Sequence, residues 1–422
     1  MKPPTIYQLS ATAVGITLSL FAMGDAEAYT FSRIFDDSGP YNFDDYSFYS
    51  STPAINNQGT VAFEARLDLD QDPLPSHHDD RLYRDIIFSS NGQSLNPITQ
   101  DMGFFEFKDI NDSNTVAFST QISSPRRPVY DLLTTNSAML TTISRDQTNL
   151  GLGSDTFGDV VINNKGSAAF VQLDFDRNTL VTSIVISDGV NRTAIAESGS
   201  FFSAKSFDER LALNNKGNVA FEAFFDIGDS GIFIGNGDST TRIADTNGLF
   251  SNFAHLSLND SDTIAFAAAL DDGSEGIFTS NGGSFTTIAD TSGAFSSFSE
   301  TLVRGKGNGV AINNNGTVAF GAKLDTGEYG IFTGSDPIAD KIIAVGDSLF
   351  GSTVTSLDFS TKGFNDAGQV AFLAQLADGT RGIFRGDPES VKPEPVPEPS
   401  TGLGLLVIST IGAGSALRHK QK

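Results

Sequence analysis

Two short runs hold the residues best suited to a metal. Asp68-x-Asp70-x-Asp72 and Asp174-x-Asp176-x-Asn178 put side-chain oxygens at every second position, as in Ca²⁺ loops. Neither has the following glycine and distant bidentate glutamate of an EF-hand, so solvated acidic turns are the competing reading. His77-His78-Asp79-Asp80 offers donors for a transition metal from a long polar insertion. Of the 4 histidines, only His255 lies within a strand-like run. The chain has no cysteine and no Gly-x-Ser-x-Gly elbow, which leaves nucleophilic catalysis without its usual residues. Carboxylates are too numerous for a glycosidase pair to be picked out. A net charge of −24 makes nucleic acid an unsuitable partner, because phosphate contact needs basic patches. Such acidity suits cations or a salty medium, or simply solubility.

The frame that must position these residues is a repeat. Asn-x-x-Gly-x-x-Ala-Phe begins at Asn56, Asn111, Asn163, Asn214, Asn259, Asn313 and Asn365, in steps of 55, 52, 51, 45, 54 and 52 residues. Periods near 50 point to propellers or solenoids. The asparagine can bond the backbone two residues on and open a turn. The fourth position calls for φ > 0; five copies have glycine there and two have Asn114 and Asp262, which tolerate that region best. Beyond the turn the residues alternate, with Val61, Phe63, Ala65 and Leu67 on one face and Ala62, Glu64 and Arg66 on the other. The copy at Asn163 keeps the turn but blurs the alternation.

The copy around Asn259 parses into four strands joined by Asn-, Asp- and Gly-rich hairpins: Phe253–Leu258, Thr263–Leu270, Ile277–Ser280 and Phe285–Ala289. A recurring Asp-Thr-x-Gly-x-Phe-Ser-x-Phe loop, at Asp245–Phe253 and Asp290–Phe298, leads into the next copy. Four antiparallel strands repeated seven times predict an all-β, seven-bladed propeller. An elongated β solenoid is the rival. Closure is favoured because the last repeat lacks its fourth strand and Thr30–Gly39 resembles it, so an N-terminal strand would complete the last blade and remove an edge. Naming the strands A to D from the channel outward, the motif forms the A–B turn. A–B and C–D turns then share one face with both chain ends. The B–C turns, acidic at Asp226, Asp229, Asp271, Asp272, Glu275, Asp325 and Glu328 as well as at the two candidate runs, share the other. His255 falls in an inner strand, where packing is the expected role. The motif reads as scaffold, and ligand contacts are expected in the irregular turns opposite it.

The two ends are of another kind. Residues 1–28 combine Lys2, an apolar run and Ala26-Glu27-Ala28, which predicts a secretory signal peptide cleaved after Ala28. Residues 388–400 form a proline-rich linker, 401–417 an apolar stretch that predicts a transmembrane helix, and 418–422 a basic tail expected on the cytoplasmic side. Pro397-Glu398-Pro399, the apolar stretch and the basic end, in that order at the C-terminus, resemble the PEP-CTERM sorting signal of Gram-negative bacteria, including cyanobacteria. The repeats are similar to those of tandem NxxGxxAF surface proteins, from whose pattern Asn114 and Asp262 depart. The resemblance implies recognition by an exosortase-type membrane protease, attachment to the inner membrane through the C-terminal helix, and association with extracellular polysaccharide. It brings no enzymatic residues.

The expected organisation is therefore a signal peptide (1–28), a propeller (29–387), the linker, the sorting helix and the tail. The expected role is an exported, surface-sorted, non-enzymatic matrix, adhesion or ligand-binding module, with Ca²⁺ as the candidate cofactor. A propeller hydrolase or lyase acting on extracellular polysaccharide is the alternative.

Overall fold

Seven antiparallel sheets follow one another along the chain, and each contains one copy of the motif. The computed structural model describes residues 29–39, 41–43, 52–68, 83–99, 105–121, 130–136, 139–145, 157–176, 179–199, 202, 207–225, 229–298 and 309–389. These belong to the unit Met1–Glu389; the second unit, Ser390–Lys422, lies outside them, as do residues 1–28. The predicted signal peptide, linker, sorting helix and tail therefore all fall outside the described residues, apart from Pro388 and Glu389. Among the described residues no helix is long and apolar enough to cross a membrane.

Blade 5 shows the plan, with strands Phe250–Leu258, Ile264–Leu270, Glu275–Ser280 and Thr286–Asp290 paired in sequence order. Blades 2, 3 and 4 repeat it. In blades 1 and 6 the A strand is split into two short pieces on the same B strand, Tyr41–Asn42 with Ala54–Ile55, and Phe295–Ser297 with Val310–Ile312. The blurred alternation after Asn163 has no consequence for pairing: Ala168–Asp176 and Thr179–Ser187 form an unbroken ladder.

The last blade closes the ring. Its C strand, Arg381–Pro388, pairs antiparallel with the N-terminal strand Tyr29–Asp36, from Tyr29↔Pro388 to Asp36↔Gly382. The N-terminal strand occupies a D-strand position in detail. In blade 5 a Cβ on Gly276 would stand 2.9 Å from the Ala289 carbonyl oxygen, and in blade 7 one on Gly382 would stand 2.8 Å from that of Phe35. Both glycines let a D-strand carbonyl and the ring two residues on approach closely. Pro388, expected to begin the linker, instead ends this strand.

Packing between blades sets small residues against large ones. The alanines at 62, 117, 169, 220, 265, 319 and 371 and the phenylalanines at 63, 118, 170, 221, 266, 320 and 372 are all fully buried. Each core cluster joins the alanine face of one blade to the phenylalanine face of the next: Ala62 with Phe118, Ala169 with Phe221, Ala220 with Phe266, and Ala371 with Phe63 across the closure. The short side chain lets the twisted sheets approach, and the ring fills the space. The core is therefore a ring of seven interfaces.

Candidate functional site

The motif asparagine does three things at once. Its Oδ1 accepts the N–H of the second residue on at 3.0–3.1 Å. It also accepts the N–H of the fourth residue on, at 2.9–3.0 Å. Its Nδ2 donates to the backbone carbonyl of the motif asparagine in the next blade, at 2.9–3.3 Å, and Asn365 returns the chain of bonds to Asn56. All seven asparagines are buried. The fourth position has φ of 75° at Gly59, 56° at Asn114 and 62° at Asp262, as the turn requires.

The second motif position makes a parallel ring. The N–H of each of these residues donates to the side-chain oxygen of its counterpart in the next blade, at 2.8 Å throughout. The residues are Asn57, Asp112, Asn164, Asn215, Asp260, Asn314 and Asp366. No two carboxylates are adjacent. The Asp112 Oδ2 accepts the carboxamides of both Asn57 and Asn164. The exceptions to the motif also reach across: Asp262 accepts Nδ2 groups of Asn214 and Asn218 and the Lys216 ammonium, each at 2.7 Å. Burial raises the Asp262 pKa, but these donors and the Lys216 charge outweigh it and hold the carboxyl below its ordinary value.

Within this double ring lies a cavity of about 190 Å³, lined by the first two motif residues of every blade and by the largely apolar residues that precede them, with Asp109, Ser257 and Lys362 as polar members. The inner-strand side chains serve their neighbours. Asp109 Oδ2 accepts the Ile162 N–H at 2.9 Å, and Ser257 Oγ accepts the Ile312 N–H at 3.1 Å. Lys362 Nζ spans from blade 7 to the Val160 carbonyl of blade 3 at 2.9 Å. These bonds occupy backbone groups that the free edge of an inner strand would otherwise leave exposed. The cavity thus sits on the motif face. Nothing local in the sequence announces it, because the bonds that shape it run between copies.

His255 belongs to the inner strand Phe250–Leu258, as expected, at a bulge between Ala254 and Leu256. Its φ is +38°, a region that favours glycine, asparagine or aspartate. The residue is only half-buried, yet its Nε2 is shut off from solvent and has no hydrogen-bond partner. Burial first, and then the charge of Arg210, lower its pKa from 6.5 to about 3. The unfolded chain therefore takes up this proton before the folded one. The contribution is whole above pH 6.5 and declines as pH falls toward 3. At pH 4.5 it should cost about 2–3 kcal/mol. His255→Asn, which suits the backbone and does not titrate, is expected to reduce the fall in Tm between pH 7.5 and 4.5. An unchanged fall would refute this.

Asp70, Asp72 and Asn178 lie outside the described residues. Asp68 ends the strand Val61–Asp68, opposite Tyr83. Asp174 and Asp176, expected in a turn, continue the strand Ala168–Asp176 opposite Val181 and Thr179, because the ladder runs on beyond Leu173 to its last pair at Asp176. Among the described residues, no group of three or more His, Asp or Glu side chains is placed to hold a metal ion. Ala26, Ala28, Pro397, Glu398 and Pro399, and His77 and His78, also lie outside the described residues. Glu275, expected in a B–C turn, instead begins the strand Glu275–Ser280, and its Oε2 accepts the Phe298 N–H at 2.8 Å, which ties blade 5 to blade 6.

A family of unknown function, DUF7453, matches residues 240–403. No curated protein matches the sequence. Among solved structures, a puromycin-hydrolyzing peptidase of Mycobacterium tuberculosis is similar, with a TM-score of 0.51 and 11% identity, over 86% of this chain and 55% of its own. The chain thus spans about half the length of that peptidase. The Cps50 (Swd1) β-propeller domain of Myceliophteria thermophila is 9% identical with a TM-score of 0.44, over 79% of this chain and 96% of its own. A GH74 xyloglucanase of Xanthomonas campestris is 9% identical with a TM-score of 0.41, over 83% and 56%. At these identities the likeness is one of fold alone.

Proposed function

We propose that this chain is an exported, surface-sorted propeller that works without turnover, as a matrix, adhesion or ligand-binding module. One observation supports the reading: the strands paired at the two ends of the described propeller abut the predicted leader and the predicted linker. The first strand begins at Tyr29, directly after the predicted cleavage site, and its partner strand ends at Pro388, the first residue of the expected proline-rich linker. Tyr29 and Pro388 are paired, so leader and linker join the same corner of one blade. Removal of the leader then leaves a complete first strand, and an exosortase-type protease acting near Pro397–Pro399 would act outside the ring. The non-enzymatic part is supported by Asp109, Asp112, Asp260 and Asp366, whose carboxylates around the cavity already accept backbone N–H groups. Extracellular polysaccharide is the partner class.

The expected result is a membrane or surface fraction whose mature N-terminus is Tyr29, measured by fractionation and terminal sequencing. A full-length cytoplasmic protein would overturn the proposal. Turnover of any member of a polysaccharide panel would overturn its non-enzymatic part and favour the hydrolase or lyase reading.

A further inference from the structure

The interface between blades 4 and 5 differs from the other six in its chemistry. Where the motif turns of these blades meet, Asn214 Nδ2 donates to the Asn259 carbonyl, as its counterparts do around the ring. The remaining bonds end on two carboxylates of blade 5. Asp260 accepts the Asn215 N–H on Oδ1 at 2.8 Å and the Asn215 carboxamide on Oδ2 at 3.0 Å. Asp262 accepts Asn214 and Asn218 on Oδ1 and pairs with Lys216 through Oδ2. Among the described residues, no other pair of neighbouring motif turns meets two carboxylates. Blades 3 and 4 meet there through carboxamides and backbone, Asn163 Nδ2 on the Asn214 carbonyl and the Asn164 N–H on Asn215 Oδ1. In blade 2 the position of Asp262 is held by Asn114, which accepts Asn56 Nδ2 at 2.9 Å without a charge.

His255 stands at the same interface. Its strand, Phe250–Leu258, packs against Phe207–Leu213, Val219–Phe224 and Ser230–Gly235 of blade 4, and against Ile264–Leu270 and Val310–Ile312. The charged residues on these strands are Asp208, Glu209, Arg210 and Glu222, all of blade 4. Arg210 acts on the imidazole by its charge, and Glu222 is buried. The charged group facing Asp262 is Lys216, with Asp260 two residues away on its own turn.

Acid therefore acts on this interface twice. Protonating Asp262 cancels its attraction for Lys216. Protonating His255 sets a second positive charge near Arg210, at an Nε2 that has neither an acceptor nor solvent. For Asp262, burial raises the pKa and its donors outweigh it; for His255, burial and then Arg210 lower it. Both groups are thus held below their ordinary values while the interface is shut. Each contributes stability that is lost as pH falls through the lowered value, so an open form takes up these protons first. We propose that acid opens the propeller between blades 4 and 5 while the other six interfaces stay shut. His255 alone tips the balance toward the open form by roughly 10²–10³-fold at pH 3.5.

The chain has no cysteine, so paired spin labels can read the interface directly. Asp238→Cys with Ser284→Cys spans the C–D turns of blades 4 and 5, and Val190→Cys with Asp238→Cys spans those of blades 3 and 4; all three positions are exposed. In the full-length chain, lowering the pH from 7.5 to 3.5 is expected to widen the first distance by more than about 5 Å, half the ordinary spacing of packed sheets, and to leave the second unchanged. Asp262→Asn copies the amide that blade 2 carries at Asn114, and together with His255→Asn it removes both titrating groups. The first distance in that double variant is expected to be the same at both pH values, and each single variant is expected to lower the pH at which the distance widens. No widening in the labelled chain would overturn the proposal. Equal widening across both interfaces would overturn it in favour of general unfolding. Widening that persists unchanged in the single and double variants would overturn it by placing the trigger elsewhere.

Discussion

Replacing Asn163 with alanine is expected to destabilise the propeller by roughly 3–5 kcal/mol, summed from the cost of leaving buried polar groups unpaired. Two N–H groups lose their partner together, and a carbonyl that keeps the Gly217 N–H loses its second donor. The N–H groups of Lys165 and Ser167 lose Oδ1, at 3.1 and 3.0 Å, and the Asn214 carbonyl loses Nδ2, at 3.2 Å. The side chain is 4% exposed, so water has little access to replace them. Asn163→Asp separates the two roles. An aspartate keeps the acceptor for the turn but loses the donor, and sets a carboxylate oxygen against the Asn214 carbonyl. A loss close to that of alanine would show that the bond between blades dominates. Urea unfolding at pH 7 reads both variants. A change below about 1 kcal/mol for alanine, the range of an ordinary surface substitution, would refute the assignment.

Deleting the first strand, Tyr29–Asp36, is expected to abolish cooperative unfolding altogether. The strand supplies Ile34 and Phe35 to the core between blades 7 and 1, where the Phe35 ring lies 5.0 Å from that of Phe63 and 5.4 Å from that of Phe43. Truncating Phe35 alone to alanine should cost about 3–5 kcal/mol. Deletion also bares the long edge of Arg381–Pro388, which invites pairing with other chains. Rescue makes the prediction specific. Tyr29 pairs with Pro388, so the same strand joined after Pro388 through a tight turn would form the hairpin that the other blades have. Near-native Tm is expected for that rearranged chain. If it remains unfolded, the strand's role is not that of a transferable D strand.

Much of this fold is legible in the sequence because its causes are local. Gly59, Asn114 and Asp262 take up φ > 0 because the turn demands it, whatever surrounds them. The missing last strand and its N-terminal substitute can be matched by counting strands per repeat. Asp174 and Asp176 differ for the converse reason: the acidic alternation reads as a turn, and only the length of the facing strand decides how far the ladder runs. His255 can be placed in an inner strand, but the bulge that gives it φ of +38° and buries its Nε2 depends on the register of Phe250–Leu258 against Ile264–Leu270.

The asparagines with which each repeat begins mark the division. By itself, the sequence determined that Asn163 opens a turn and that a strand follows, since both depend on bonds within five residues. It also determined the number of blades and which residues are small and which are bulky. Only the tertiary structure decided that the same side chain spends its Nδ2 on the next blade, and that Asn365 completes the circuit to Asn56, 309 residues away. The physical reason is that a carboxamide carries both an acceptor and a donor. The turn uses the acceptor and is visible locally, while the donor's partner exists only once the blades stand side by side.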